Sequence, residues 1–224
     1  MVVPREASLA VEACLALAAI AAFSGMVIGG PRSGRNAHRA VLIGGIAALV
    51  AALLTWRIDA IWFFEAFRVD RVTQSLKALI CIGLIVFAIR PGTTDVRGRA
   101  VPSFFAIVCA LGLVLSAGAG DLIILWIVLD IASAALVLSV ATGGSAEARG
   151  AEVRRLIGAW LPMSLIMLVG IIITAAIGGA TRLTDLETAL PGLRENPAAL
   201  TGVALIAVSI LLRGARCVAV LLRD

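Results

Sequence analysis

Asp130 stands alone among apolar residues in the run Asp121-Leu-Ile-Ile-Leu-Trp-Ile-Val-Leu-Asp130-Ile-Ala-Ser-Ala-Ala-Leu-Val-Leu-Ser-Val-Ala-Thr142, nine residues from its charged start and twelve from its polar end. About 20 residues at 1.5 Å rise cross a hydrocarbon core of roughly 30 Å, so the run reads as a membrane-spanning helix with Asp130 near mid-bilayer. A carboxylate at that depth costs about 2.5–3.5 kcal/mol on insertion scales, and it is usually kept where it pairs, titrates or lines a wet path. The plainer reading is a protonated acid hydrogen-bonded inside a helix bundle. Lys77 is the second anomaly: it is the only lysine of the chain and sits within an apolar segment, seven residues after Asp70. Lysine gives up its proton more readily on burial than arginine, which suits a proton relay. The position equally suits snorkelling toward the interface, six residues from Arg71.

Arginines are the candidate counter-charges for Asp130. Arg154 and Arg155 open the sixth apolar segment roughly 18 Å in axial height from Asp130, too far for contact. Arg213 lies inside the seventh segment, only about 10 Å in height from Asp130 and within reach of a long side chain. Arg213, Arg216 and Arg223 also fit an ordinary basic helix end. Glu12, early in the first segment, is expected to be solvated near the outer surface, and His38 to be exposed in a basic loop. A lone histidine cannot build a metal site. The four cysteines (Cys14, Cys81, Cys109, Cys217) all lie in apolar runs without CxxC spacing and read as small buried hydrophobes.

The elements that must hold these groups follow from composition. The 224 residues are 61% hydrophobic with a mean hydropathy of +1.08, against about 45–50% apolar residues in soluble domains. The expected fold is an all-α integral membrane protein of about seven transmembrane helices, at 8–29, 40–55, 71–89, 101–118, 121–142, 156–179 and 198–220. Turn chemistry separates them at Gly29-Gly30-Pro31, Pro91-Gly92, Gly118-Ala119-Gly120, Gly143-Gly144 and Pro191-Gly192. The segments are too long and uniform for barrel strands. The first is not a plausible signal peptide, because its exit is a basic loop without a small-x-small cleavage site. The net charge of +5 does not indicate nucleic acid: the 18 arginines are spread over short loops, with no basic patch. No GxSxG, Walker loop, HExxH or dinucleotide fingerprint occurs.

Loop charges set the expected orientation. Arg32, Arg35 and Arg39, then Arg90, Arg97 and Arg99, then Arg149, Arg154 and Arg155, and finally Arg213, Arg216 and Arg223 fall on one side. The other side mixes Arg57 and Arg68 with Asp59, Glu65 and Asp70, followed by Asp121 and by Arg182 and Arg194 among three acids. The N-terminus is therefore expected outside and the C-terminus in the cytoplasm. Trp56, Trp62, Phe63 and Phe64 cluster at the outer ends of segments two and three as an interfacial aromatic belt.

Over residues 60–220 the order and spacing of these charges resemble the antiporter-like family that includes subunit N of respiratory complex I and the Mrp sodium/proton antiporters. Phe67-Arg68-Val69-Asp70 with Lys77 resembles the entry to the family's third helix. Leu115-Ser-Ala-Gly-Ala-Gly-Asp121 through Ser133 resembles the fifth, with Asp130 at the position of its key glutamate. Arg155 with Gly170 is similar to the lysine-to-glycine spacing of the sixth helix, and Arg182-Leu-Thr-Asp-Leu-Glu-Thr-Ala-Leu190 to the amphipathic loop before the seventh. Arg213 falls on or next to the lysine that pairs with the glutamate.

The departures are equally specific. Family members have about fourteen helices in two inverted repeats, and the resemblance here is to a short form ending within the first. The chain then divides into two N-terminal helices (1–59) and an incomplete first-repeat region (60–224) of one transmembrane domain (1–224). The family's seventh helix breaks near a Pro and a His; Cys217-Val-Ala-Val-Leu-Leu222 has neither, so an unbroken helix is expected. Arginine does not release its proton, so an Asp130–Arg213 pair would be locked where the family's pair switches.

The resemblance implies a reduced antiporter-like membrane subunit of a complex-I-like quinone oxidoreductase, or of a related redox-driven ion-translocating complex, in a bacterial inner membrane. It would be mainly structural or assist proton translocation, and be at most a non-catalytic part of an NADH:quinone oxidoreductase-type translocase. Quinone and iron–sulfur clusters would belong to partner subunits, with no cofactor in this chain. The proton-path or ion-pair candidates are Asp130, Lys77, Arg213 and Arg155. A self-contained oligomeric transporter or channel using Asp130 and Lys77 is the alternative, and a purely structural remnant a third reading.

Overall fold

The computed structural model describes residues 5–28, 33–63, 65–89, 100–142 and 146–223. A 3-10 turn, Arg5–Leu9, leads into α1 (Ala10–Ile28), followed by α2 (Ser33–Leu54), a hairpin of β1 (Ala60–Trp62) and β2 (Phe67–Val69), α3 (Arg71–Ile89), α4 (Ala100–Gly118), α5 (Leu122–Thr142), α6 (Ala146–Gly178), α7 (Leu183–Glu195) and α8 (Pro197–Arg223). Seven helices are long and apolar enough to cross a membrane, and no more than 39% of any such span is buried within the protein. The remaining surface is leucine, isoleucine and valine, as at Leu17, Leu79, Leu165 and Leu211. A surface that apolar on every side suits hydrocarbon, so the chain is an all-helical membrane protein.

The helices form two groups. In the first, α1 packs along α2 and α4, and α3 packs along α2 and α4, which places α1 and α3 on a diagonal. Its core is built of small residues, among them Ala18, Ala22, Ala37, Ala48, Ala52 and Ala88, around Val11, Leu15, Val41 and Ile107. Small side chains let helix backbones approach where lipid supplies no hydrophobic drive for association. In the second group Leu129 of α5, Met167 and Ile171 of α6, Leu186 of α7 and Ile206 of α8 share a core. The α4–α5 contact, through Cys109, Ala132 and Ala135, joins the two.

One end of the molecule is stitched by backbone. β1 and β2 pair antiparallel, with Ile61 opposite Arg68. Phe67 bridges to Ala119, and Asp121 to Arg182, while Gly120 N–H donates to the Ala66 carbonyl at 2.8 Å and Leu183 N–H to the Gly120 carbonyl at 2.9 Å. A Cβ at Gly120 would collide with the Glu65 carbonyl, so the small residues expected only to break the chain here also admit the hairpin. Helix starts at this end are capped by side chains: Asp70 Oδ1 accepts from Thr73 N–H at 2.8 Å, and Asp121 Oδ1 from Ile123 N–H at 2.8 Å. Asn196 does the same for α8, accepting from Ala198 N–H at 3.0 Å, with Pro197 as the first helical residue.

Several boundaries differ from those expected. α2 begins at Ser33, so Arg35, His38 and Arg39 lie on its first turns, with the two arginines exposed. A helix accepts a charged first turn wherever the side chains can leave the bundle, which an apolar-run count overlooks. α6 begins at Ala146, ten residues early, for the same reason. Pro191-Gly192 lies inside α7, and the break falls at Asn196, where a cap is available. α8 is a single helix through Arg223, as its lack of an internal Pro predicts. Trp62 sits in the hairpin and turns inward, its Nε1 donating to Ser8 Oγ at 2.8 Å. Phe64 and the Arg90–Arg99 loop lie outside the described residues.

α6 and α8 cross where a Cβ on Gly170 would lie 2.7 Å from the Gly202 carbonyl, and one on Gly202 2.6 Å from Thr174 Oγ1. Gly170→Val should therefore lower stability by about 1–3 kcal/mol, the usual range for overpacking. Gly158→Val, at a position with nothing within 4 Å, should change it far less; equal melting temperatures for the two variants in detergent would refute the close crossing. At Asp70, the Thr73 amide chiefly, opposed by partial burial and helped by Arg68, holds the carboxyl below its usual value. Its stabilisation is thus present above about pH 3.9 and lost as the pH falls through the lowered folded value. Asp70→Ala should cost about 1 kcal/mol at neutral pH, and denaturant titration should find the difference shrinking in acid.

Candidate functional site

Asp130 is held in the second helix group by three side chains from two neighbouring helices, with a fourth side chain behind one of them. Arg213 Nη1 of α8 donates to its Oδ1 at 2.7 Å. Ser164 Oγ of α6 donates to Oδ2 at 2.5 Å, and Trp160 Nε1, one turn earlier on α6, donates to Oδ1 at 3.3 Å. Trp126 on α5, one turn before Asp130, donates from Nε1 to Ser164 Oγ at 2.9 Å. The indole N–H groups gain partners they would lack in lipid. The carboxylate receives three donors, one of them a guanidinium that stays charged. Arg213 is 7% exposed and Asp130 23%. Ser209 Oγ, one turn before Arg213, donates to the Met163 carbonyl at 2.7 Å and fixes α8 against α6 at this level.

A second ion pair lies in the first helix group. Lys77 Nζ on α3 meets Glu12 Oε1 on α1 at 2.6 Å, with 0% and 10% of the two side chains exposed. The two helices are diagonal, so the pair crosses the centre of the four-helix group. The Phe67 ring lies 5.1 Å from Nζ, a cation–π distance. Glu12 is therefore not solvated, contrary to expectation, because its helix turns this face toward Lys77 and away from the surface. Snorkelling of Lys77 is likewise overturned by its complete burial.

Arg155 is exposed on α6 and is not among the groups touching Asp130. Asp130, Arg213 and Lys77 are each in an ion pair, but Lys77 and Asp130 belong to different helix groups. Sequence reasoning passed over Glu12 as a partner, and over Trp126, Trp160 and Ser164. The latter three carry a readable signal: Trp126 precedes Asp130 by four residues, and Trp160 and Ser164 are four apart, so each pair shares a helix face.

Fold and sites together define a helical membrane protein with, among the described residues, two ion pairs inside its apolar spans. No protein-family model matches the chain. Its sequence is 32% identical over 182 residues to NADH-quinone oxidoreductase subunit N 2 of Opitutus terrae, covering 77% of this chain and 38% of that protein. It is 27% identical over 177 residues to NADH-quinone oxidoreductase subunit N 2 of Syntrophobacter fumaroxidans, covering 76% and 37%. A chain of respiratory complex I from Thermus thermophilus, solved with bound aureothin, shares the fold with a TM-score of 0.68 at 22% identity, over 89% of this chain and 42% of that one. The chain is thus a homologue of the subunit N proteins of NADH-quinone oxidoreductase, and it spans little more than a third of the length of those it matches.

If the Asp130–Arg213 pair offsets two burials, removing one partner strands the other, at about 3–5 kcal/mol for a well-buried pair and less where one side chain stays partly exposed. Arg213→Ala should therefore destabilise the protein more than Asp130→Asn, and much more than Arg154→Ala at an exposed position. Asp130→Asn combined with Arg213→Gln should recover part of the loss. Unfolding of the single and double variants in detergent gives the coupling directly; strict additivity would show that the contact carries no energy.

Proposed function

We propose that this chain is an antiporter-like membrane subunit of a complex-I-like quinone oxidoreductase or a related redox-driven ion-translocating complex in a bacterial inner membrane. Its role is to support the membrane arm and to assist proton translocation, with quinone and iron–sulfur chemistry in partner subunits. The supporting observation is the Asp130 cluster within a chain homologous to subunit N. Asp130, Arg213 and the α6 donors make a fixed charge centre: arginine keeps its proton, so this pair polarises its surroundings without passing a proton on. The hairpin end faces outward, since the opposite end carries Arg35, Arg39, Arg154 and Arg155; an alkaline phosphatase fused at the C-terminus should then be inactive.

Tagged chain extracted in mild detergent should bring other membrane subunits with it. Recovery of the chain free of such partners would overturn the subunit reading. One observation favours a self-contained ion carrier instead: the Glu12–Lys77 pair is complete within this chain. That alternative requires the protein alone, reconstituted in liposomes, to move protons or sodium, and electrically silent vesicles would remove it.

A further inference from the structure

Six buried side-chain polar atoms lack a hydrogen-bond partner among the described residues, and four belong to one place: Glu12 Oε1 and Oε2, Lys77 Nζ and Gln74 Oε1. Glu12 and Lys77 touch as an ion pair, but neither engages any further hydrogen-bonding group. Buried polar groups in native proteins are almost always satisfied, by protein or by ordered water. Two charged groups and an amide in one small region supply the several polar partners that a buried water needs.

The surroundings have a direction. Gln74 lies one turn from Lys77 on the same face of α3, and Ser8, in the 3-10 turn before α1, lies four residues before Glu12, both toward the hairpin end. Gln74 Nε2 donates to Thr55 Oγ1 at 3.1 Å, and Ser8 Oγ accepts from Trp62. Ser8, Gln74 and Lys77 are each 0% exposed. Beyond Gln74, its neighbour Thr73 helps line a crevice of about 210 Å³ at the hairpin end, together with Glu65, Arg68, Asp70 and Glu187. Polar groups thus run from that crevice to the pair, about 9 Å below the start of α3 at 1.5 Å per residue. Away from the hairpin, among the described residues, α4 carries no charged side chain, and the core side of α2 includes Gly44, Gly45, Ala48 and Ala52. Cys81 lies within the field of both Glu12 and Lys77, with Cys14 beside it.

We propose that Glu12, Lys77 and Gln74 form a water-connected proton-holding site in the first helix group, filled from the hairpin end and separate from the Asp130 centre. Lysine can exchange and release its proton, where the arginine of the other pair cannot. In each exchange an Nζ–H bond breaks as that hydron passes to water, and a hydron from the water chain bonds to Nζ, so the pair's charge is conserved. Gln74 orients the water nearest Nζ. The site is complete within this chain, so it stands or falls independently of any parent complex.

Because Lys77 is the only lysine, lysine labelled with nitrogen-15 at Nζ gives one signal from the full chain in lipid nanodiscs. At neutral pH its ammonium hydrogens should exchange with solvent at least about tenfold faster than the backbone amides of α3 beside it, since a connected water needs no unfolding. Exchange no faster than those amides would overturn the proposal, showing a dry pair opened only by unfolding. Gln74→Leu, a change of similar volume, should slow exchange by about tenfold by removing the water's polar partner; an unchanged rate would overturn the route. Glu12→Gln should convert the signal from ammonium to amine at neutral pH, and Glu12→Asp should restore the ammonium. Ammonium retained in Glu12→Gln would show that Glu12 does not hold the proton there. Should Glu12→Gln fail to fold, the exchange rates of the wild type and Gln74→Leu still decide.

Discussion

A charge carried into hydrocarbon must meet its counter-charge inside the protein, and the packing of both helix groups follows from that requirement. Desolvating a single ion costs several kcal/mol even after relaxation, and only close geometry with further hydrogen bonds compensates. Arg213 and Lys77 are both at least nine-tenths buried, so each helix that carries one is fixed in rotation. α8 can turn little without drawing Arg213 from Asp130, and α3 little without drawing Lys77 from Glu12. Lipid drives neither helix toward its neighbours by the hydrophobic effect, so these contacts and small-residue packing have to set the arrangement.

The two pairs use that constraint differently. Asp130 accepts from an indole, a hydroxyl and the guanidinium, and a second indole donates to that hydroxyl. Its oxygens are committed, and its cation cannot lose a proton. Glu12 and Lys77 have fewer partners and sit in a small-residue core with a phenylalanine ring as their nearest aromatic neighbour. That ring, Phe67, is also the residue that bridges to Ala119 in the α4–α5 turn. The hairpin therefore links the two groups mechanically at the end where polar residues gather.

What the sequence disclosed depended on the range of the signal. Seven spans were readable because an apolar run of about 20 residues has few soluble explanations, and Asp130 because it stands alone inside one such run. The resemblance marked Arg182 to Leu190 as an amphipathic loop before the last span, and the structure makes this stretch part of helix α7. The two three-residue strands were not, being too short for alternation to register and dependent on a bridge to Ala119. Glu12 was misjudged for a related reason. Its partner is 65 positions away across a bundle diagonal, and α1 shows almost no one-sided polarity to mark its inner face. The helix starts were drawn late wherever charged first turns, as at Arg35 and Arg39, could leave the bundle.

The position of the homologous region sharpens the contrast between the pairs. Proteins that match this chain extend well beyond it, since it covers 38% and 37% of their lengths. Asp130 remains about a quarter exposed at a depth where neither lipid nor an uncompensated charge is comfortable. Its oxygens have their donors, while Arg213 is nearly covered and keeps Nε and Nη2 without a hydrogen-bond partner among the described residues. Glu12 and Lys77 lie deeper, among α1 to α4, and both carboxylate oxygens and the ammonium make no hydrogen bond beyond the pair among the described residues. A fixed carboxylate left partly exposed and a buried pair that needs water are consistent with one physical rule. Where protein supplies the hydrogen bonds the side chain can face outward, and where it supplies none the group must be enclosed with whatever water satisfies it.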